Sequence, residues 1–400
     1  MASDPTQPAR SAAPALGAAR AVEGVRVASS SALDGATAVA EIIATIGAAR
    51  DIGFVLAFAS SHYDPVAITG ALARHFPGVP HAGCSTAGEI APIGVTESSL
   101  VAIAFPRGDF EIVCAPLLGL SDFGIEAGAK LVAGLRRRLP PRAEGANDVF
   151  ALTLLDGLCR REEQILSALQ RALDDIPLIG GSAGDDLAFR NTFAFCDGEV
   201  LHDAGLLLLV RSARPFRVFK TDHFEPTATK LVVTGCDPDE RLVTEIDAEP
   251  AWEAFAHAAG LDPREPDGLG FAAHPLLVRV GGEYYCRSIQ KRNDDGSLSF
   301  YCAIDTGVVL TLARTRDMVT SLEEAFGSLD RDLGGIDFVL GFDCVHRRLE
   351  AESRQILHRI SDVFRRFRVI GFNTYGEQYD AMHLNHTFTG IAFGQGRRPE

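Results

Sequence analysis

Residues 83–89 read Gly-Cys-Ser-Thr-Ala-Gly-Glu and residues 371–377 read Gly-Phe-Asn-Thr-Tyr-Gly-Glu, so a glycine, a small polar side chain, threonine, a second glycine and glutamate recur at the same offsets. Upstream of each lies an apolar run, IGFVLAF at 52–58 and IDFVLGF at 336–342, which suits a buried parallel strand. Downstream, Ile-Ala-Phe recurs at 103–105 and 391–393, each time 14 to 16 positions beyond the motif glutamate. A weaker copy lies between them, with its strand at 149–155 and its turn, GGSAGDD, at 180–186. From strand Phe to motif Gly the spacings are 29, 30 and 33 residues, the length of a βαβ crossover. The connecting segments carry apolar residues at four-residue intervals: Ile68, Leu72 and Phe76; Ile165, Leu169 and Leu173; Ile356, Ile360 and Phe364. These stripes predict helices packed on a sheet.

The pattern predicts an α/β fold with mixed sheets: repeated βαβ units in two pseudo-related halves with antiparallel additions. Strands are expected over 216–233, a helix near 250–259, and an antiparallel hairpin around the Asp-Gly step at 293–296. Residues 1–24, rich in Ala, Ser and Pro, read as a disordered tail without the apolar core of a secretory signal. The expected domains are then 25–236 and 237–400, with a hinge near 236–240, where Asp237 and Pro238 punctuate the chain.

With strands ending at Ala82, Ile179 and Ile370, each motif turn would lie at a strand's carboxyl end, where open α/β sheets bind ligands. Cys84, Ser85, Thr86 and Glu89, then Ser182 and Asp185, then Asn373, Thr374, Tyr375 and Glu377, with Asn385 and Thr387 nearby, are the expected walls of a ligand site. Hydroxyls and amides would orient the ligand, and the carboxylates would hold a cationic group such as an ammonium. The same residue types also close turns and cap helices with no ligand at all.

The chain has 38 Lys and Arg against 53 Asp and Glu, a net charge of −15, which argues against nucleic acid or an anionic membrane as partner. No apolar run approaches a membrane span, and a cytoplasmic location follows as an expectation. Eight cysteines, with no CxxC pair and no CxxCH, read as free thiols. Cys84 followed by Ser85 resembles a nucleophile elbow, so an acyl-transfer enzyme is the alternative from another class. His62, His75 and His81 are nearby in sequence, but no spacing identifies a triad. A non-haem metal site at His383 and His386 is thinly supported, because the two would face opposite sides of a strand. A purely structural interaction module is compatible with every residue.

HAGCSTAGEI at 81–90, GGSAGDD at 180–186, GFNTYGEQY at 371–379 and HLNHTFTGIAFG at 383–394 resemble the signatures of the FIST proteins, bacterial sensory proteins with an N-terminal and a C-terminal FIST region. The resemblance covers nearly the whole chain from about residue 25. It implies a non-catalytic sensor of a small ligand, amino acids among those proposed, that signals through a separate protein such as a histidine kinase or a cyclic-dinucleotide enzyme. Some stand-alone members are haem proteins that sense nitric oxide, so haem is a cofactor the resemblance allows. His274, in the apolar run FAAHPLLV, is the first candidate for its axial ligand, followed by His223, His346 and His386. Two of these depart from the family's pattern: His386 stands where Gln is expected, and His346 where an aliphatic residue is.

Overall fold

The computed structural model describes residues 24–47, 49–139, 149–264, 271 and 274–396. The expected tail lies outside them, Gly24 excepted. The fold is mixed α/β, and its repeat is threefold: the weak middle copy is a complete unit. Unit one contributes strands Arg26–Ser30, Ile52–Ser60, His81–Thr86 and Leu100–Pro106 with helices Gly35–Ile46 and Pro65–His75. Unit two repeats that order with strands Phe110–Leu117, Val149–Asp156, Leu178–Ala183 and Gly205–Ser212 and helices Ile125–Arg138 and Glu162–Leu173. Unit three does so with strands Phe216–Thr221, Ile336–Cys344, Val369–Thr374 and Phe388–Gly394 and helices Met318–Leu333 and Leu357–Arg366. In each, the apolar run pairs parallel with the motif strand and antiparallel with the last strand.

Strand alternation explains why the apolar runs are continuous. Phe54, Leu56 and Phe58, Phe150, Leu152 and Leu154, and Phe338, Leu340 and Phe342 all point into one core shared by the three sheets. The intervening residues face each unit's own helices, as Val55 and Ala57 do against Ile68, Leu72 and Phe76. Phe338 stacks on Phe393 with centroids 4.5 Å apart, and Phe58 meets Phe372 at 4.7 Å. These side chains are within 1% of complete burial, so cutting any one to alanine costs about 3–5 kcal/mol.

Each unit gives a short hairpin away. The Glu89–Ala91 and Gly94–Thr96 hairpin of unit one completes the sheet of unit three, with Ile90 opposite Gly371. The Ala194–Cys196 and Glu199–Leu201 hairpin of unit two joins unit one, with Ala194 opposite Cys84. The Glu377–Tyr379 and Met382–Leu384 hairpin of unit three joins unit two, with Glu377 opposite Gly181. The exchange closes into a ring, and the three six-stranded sheets are thereby inseparable.

Between the first strand and first helix of unit three, the described residues between 224 and 315 include a separate eight-stranded sheet with helix Ala251–Ala259 on it. Trp252, Phe255, Leu276 and Leu310 are among its core residues. The expected hairpin is present as Ile289–Arg292 and Leu298–Phe300. The hinge expected near 236–240 is corrected: it is the turn between Phe224–Asp237 and Leu242–Ile246, which pair with Cys236 opposite Val243. Both sides of that turn are hydrogen-bonded into one sheet, so they do not swing apart as two halves.

Candidate functional site

The motif strands do not stop at Ala82, Ile179 and Ile370; they run on to Thr86, Ala183 and Thr374. The motifs therefore begin inside strands, and their ends meet at the centre of the ring. There they bond to one another in a cycle. Ala87 N donates to Asn373 O at 3.0 Å and Asn373 N to Gly88 O at 2.7 Å; Ser182 N donates to Gly376 O at 2.8 Å and Tyr375 N to Ser182 O at 3.2 Å; Gly184 N donates to Ser85 O at 3.2 Å.

The carboxylates repeat one arrangement. Glu89 accepts from the Thr86 hydroxyl and from Ser99, through its backbone N at 3.0 Å and its hydroxyl at 2.6 Å. Glu377 accepts from the Thr374 hydroxyl and from Thr387, through N at 3.2 Å and Oγ1 at 2.7 Å. Burial raises Glu89 to about 7 and Glu377 to about 8, against the hydroxyl and backbone donors that pull the other way. Asp186 stands at the same motif position in unit two and accepts from Ser60 and Ser61 at 2.7 and 2.9 Å. Asp185 holds the following loop, accepting from the backbone N of Phe189, Arg190 and Asn191 at 2.8, 2.6 and 2.9 Å and from the Tyr375 phenol. Ser85 accepts from Phe193 N, and Ser182 from Gln378 Nε2. Asn373 donates toward Asp343 and Asn385 toward Tyr375 O, while the Oδ1 of each is buried with no hydrogen-bond partner among the described residues.

All twelve expected wall residues are buried, Tyr375 the least so at 7% exposed. Of them, Tyr375 alone borders a large cavity formed by the described residues. The polar groups that were expected to face a ligand mostly face each other.

That cavity, about 740 Å3, is a cleft between the ring and the inserted sheet. Its walls come from 157–162 and Phe189 of unit two, from 240–242 and 290–301 of the inserted sheet, and from Val345, His346, Tyr375 and His383 of unit three. Arg241 crosses it, its Nη2 2.8 Å from Glu162 and 2.9 Å from Glu163 and its Nη1 donating to Tyr301 O. Desolvation works against the guanidinium, but the two carboxylates outweigh it and hold Arg241 above its ordinary value. Arg160, Lys291, Glu240, Asp294 and Asp295 add charges of both signs. His383 is 2% exposed, and its Nδ1 has no hydrogen-bond partner among the described residues. His346 packs on Tyr301 with centroids 4.4 Å apart, and burial lowers it to about 4. His346 and His383 stand out in the sequence, whereas Arg241, Glu162 and Tyr301 do not, because their pairing joins segments 79 residues apart or depends on a hairpin's placement.

Behind His346 and Tyr301 is a second cavity of about 190 Å3, bordered also by His274, Arg287, Ser288 and His386. The two departures from the family pattern thus meet, with the His346 and His386 rings 5.3 Å apart. His223 is close by, bonded to Glu350 at 2.9 Å and Arg347 at 2.9 Å. Haem needs a roomy, largely apolar cavity. The one His274 borders is smaller than the ~300 Å3 at which pockets for drug-sized ligands begin, and the larger one is lined by charges, so these residues do not fit a haem. Among the described residues, no three His, Cys, Asp or Glu are grouped so as to hold a metal ion. Cys84 is fully buried in the shared core, and burial drives its thiol far above the ordinary value. His81 lies on the opposite face of the same strand, bonded to Thr69 at 3.1 Å. No helix among the described residues is long and apolar enough to cross a membrane.

Comparison with known proteins agrees with the motifs. A family model for the FIST N domain matches residues 53–249, and one for the FIST C domain matches 251–380. The uncharacterized protein MJ1623 of Methanocaldococcus jannaschii is 23% identical over 358 residues, which cover 80% of this chain and 69% of that protein. The chain belongs to the FIST family, a family of small-ligand sensors in signal transduction.

Proposed function

We propose that this chain is a non-catalytic sensor whose cleft binds a small zwitterionic metabolite of the amino-acid type and that reports occupancy to a separate protein, a histidine kinase or a cyclic-dinucleotide enzyme. The observation that carries the proposal is the composition of the cleft: Lys291 can meet a carboxylate and Asp294 and Asp295 an ammonium, beside the Arg241–Glu162 and Arg160–Glu240 pairs, whose members a zwitterion can bridge. Its size falls within the ~300–1,000 Å3 range of small-molecule sites. Because its walls come from unit two, unit three and the inserted sheet, a ligand that prefers one placement of these parts shifts the population toward it. The burial of Cys84, with no base beside it among the described residues, favours binding over acyl transfer.

Thermal-shift screening against the amino acids and related metabolites tests this directly, followed by calorimetry on Tyr301→Phe and His346→Ala. A ligand whose affinity falls at least tenfold in both variants supports the cleft. Binding unaffected by either, or a stoichiometric Soret band from protein produced with haem, overturns it.

A further inference from the structure

We infer that Cys114 and Cys196 form a reversible disulfide that staples two sheets of the ring. Their sulfurs are 3.4 Å apart, and closing to the ~2.05 Å of a disulfide needs a movement of only about 1.4 Å. Both residues belong to unit two but sit on different sheets. Cys114 lies in Phe110–Leu117 at the edge of unit two's own sheet, opposite Leu208. Cys196 ends the first strand of the hairpin that unit two gives to unit one, opposite Ala82. A bond between them would tie the donated hairpin back to the unit it came from. Asp197 and Gly198, with φ of 49° and 95°, make the tight turn that places Cys196 at the hairpin's end.

Exposure assigns the roles. Cys114 is 5% exposed and packs in the shared core, whereas Cys196 is only partly buried. A low-molecular-weight disulfide reaches Cys196 first: its thiolate attacks one sulfur of the reagent, releases one thiol and leaves a mixed disulfide. Cys114, whose sulfur already faces Cys196, then attacks Sγ of Cys196 as its proton passes to the departing thiolate, which leaves as the second thiol. Two protein thiols are oxidised and one reagent disulfide is reduced to two thiols, so the exchange balances.

The test treats the native full-length chain with glutathione disulfide, blocks remaining thiols under denaturing conditions, and counts them by mass. The expected unreduced digest contains a Cys114–Cys196 peptide, distinguished by mass from any glutathione adduct on the similarly accessible Cys159 and Cys236, and the treated chain has a higher Tm that dithiothreitol reverses. Cys114→Ala is expected to stop at a glutathione adduct on Cys196, and Cys196→Ala to leave Cys114 as a free thiol. Eight surviving thiols, or a crosslink at any other pair, overturns the inference.

Discussion

The Tyr375 phenol donates to the carboxylate of Asp185, 190 residues earlier in the chain, and so joins the motif of unit three to that of unit two. The same oxygen accepts from Leu187 N at 2.9 Å, and the ring stacks on Phe189 at 4.6 Å. Between those contacts Asp186, Leu187 and Phe189 all have positive φ, 54°, 66° and 51°, a conformation that non-glycine residues hold only under constraint. Tyr375→Phe keeps the stacking but removes the bond to Asp185 and leaves Leu187 N without its acceptor. The expected loss is about 1–3 kcal/mol in urea unfolding, with weaker ligand binding because Tyr375 borders the cleft. An unchanged midpoint would show that the loop is held by stacking alone.

Stability should fall between pH 6.5 and 8. Glu377 and Glu89 are raised by burial to about 8 and about 7, from 4.5. An acid raised on folding adds stability that is fully present below its unfolded pKa and disappears as pH rises through the folded one, with a slope of up to ~1.4 kcal/mol per pH unit per group. Buried His223, His346 and His386 are lowered by desolvation, so they act on the other side, costing stability as pH falls below 6.5. Glu377→Gln should flatten the alkaline fall measured by denaturant titration, and Glu89→Gln should do so mainly below pH 7. Neither lines the cleft, so neither should alter ligand affinity; a loss of affinity would restore these carboxylates to the binding site.

Much of this architecture is written locally. The apolar runs at 52–58 and 336–342, the 29 to 33-residue spacings and the helical stripes ending at Phe76, Leu173 and Phe364 give the three crossovers directly, since strand and helix periods are properties of neighbouring residues. The hairpin exchange is not local. Nothing in Glu89–Ala91 states that its partner strand is Val369–Thr374, because register is set by what lies opposite after folding. The same limit explains the site. Thr86, Glu89 and Ser99 have a pattern that a ligand pocket and a buried turn share, and only the three-dimensional meeting of the motifs separates the two. The cleft residues Glu162 and Arg241 come from a helix start and a hairpin turn that look solvent-exposed in sequence.

The first motif glycines answer to close approach, since none of Gly83, Gly180 and Gly371 has positive φ. A Cβ at these positions would lie 1.9 Å from Ala57 O, 2.1 Å from Thr153 O and 1.7 Å from Gly341 O, the same collision with the parallel neighbour in all three units. Substitution by alanine at any of them should cost at least ~3 kcal/mol or abolish soluble expression. Gly134, inside helix Ile125–Arg138 with nothing within 4 Å of an added Cβ, is the control: Gly134→Ala should stabilise by about 0.5–1 kcal/mol. Equal tolerance at Gly83 and Gly134 would mean that the sheets can part.

Arg241 is the one cation bonded to both Glu162 and Glu163 among the described residues, and Glu163 in turn accepts Ala303 N at 2.7 Å. The guanidinium thus ties the helix start of unit two to the inserted sheet across the cleft. Replacing it by methionine keeps much of the side-chain volume but leaves the two carboxylates with only the His383 imidazole, 4.0 Å from Glu162, beside them, which should cost about 3–5 kcal/mol. Adding Glu162→Gln to Arg241→Met removes half of that excess charge and should recover part of the loss, a coupling that a double-mutant cycle in urea measures. Independent, additive effects would mean that the inserted sheet is held to the ring by its other contacts. In that event the cleft would lack the charged clasp through which a bound zwitterion could alter how the two parts sit together.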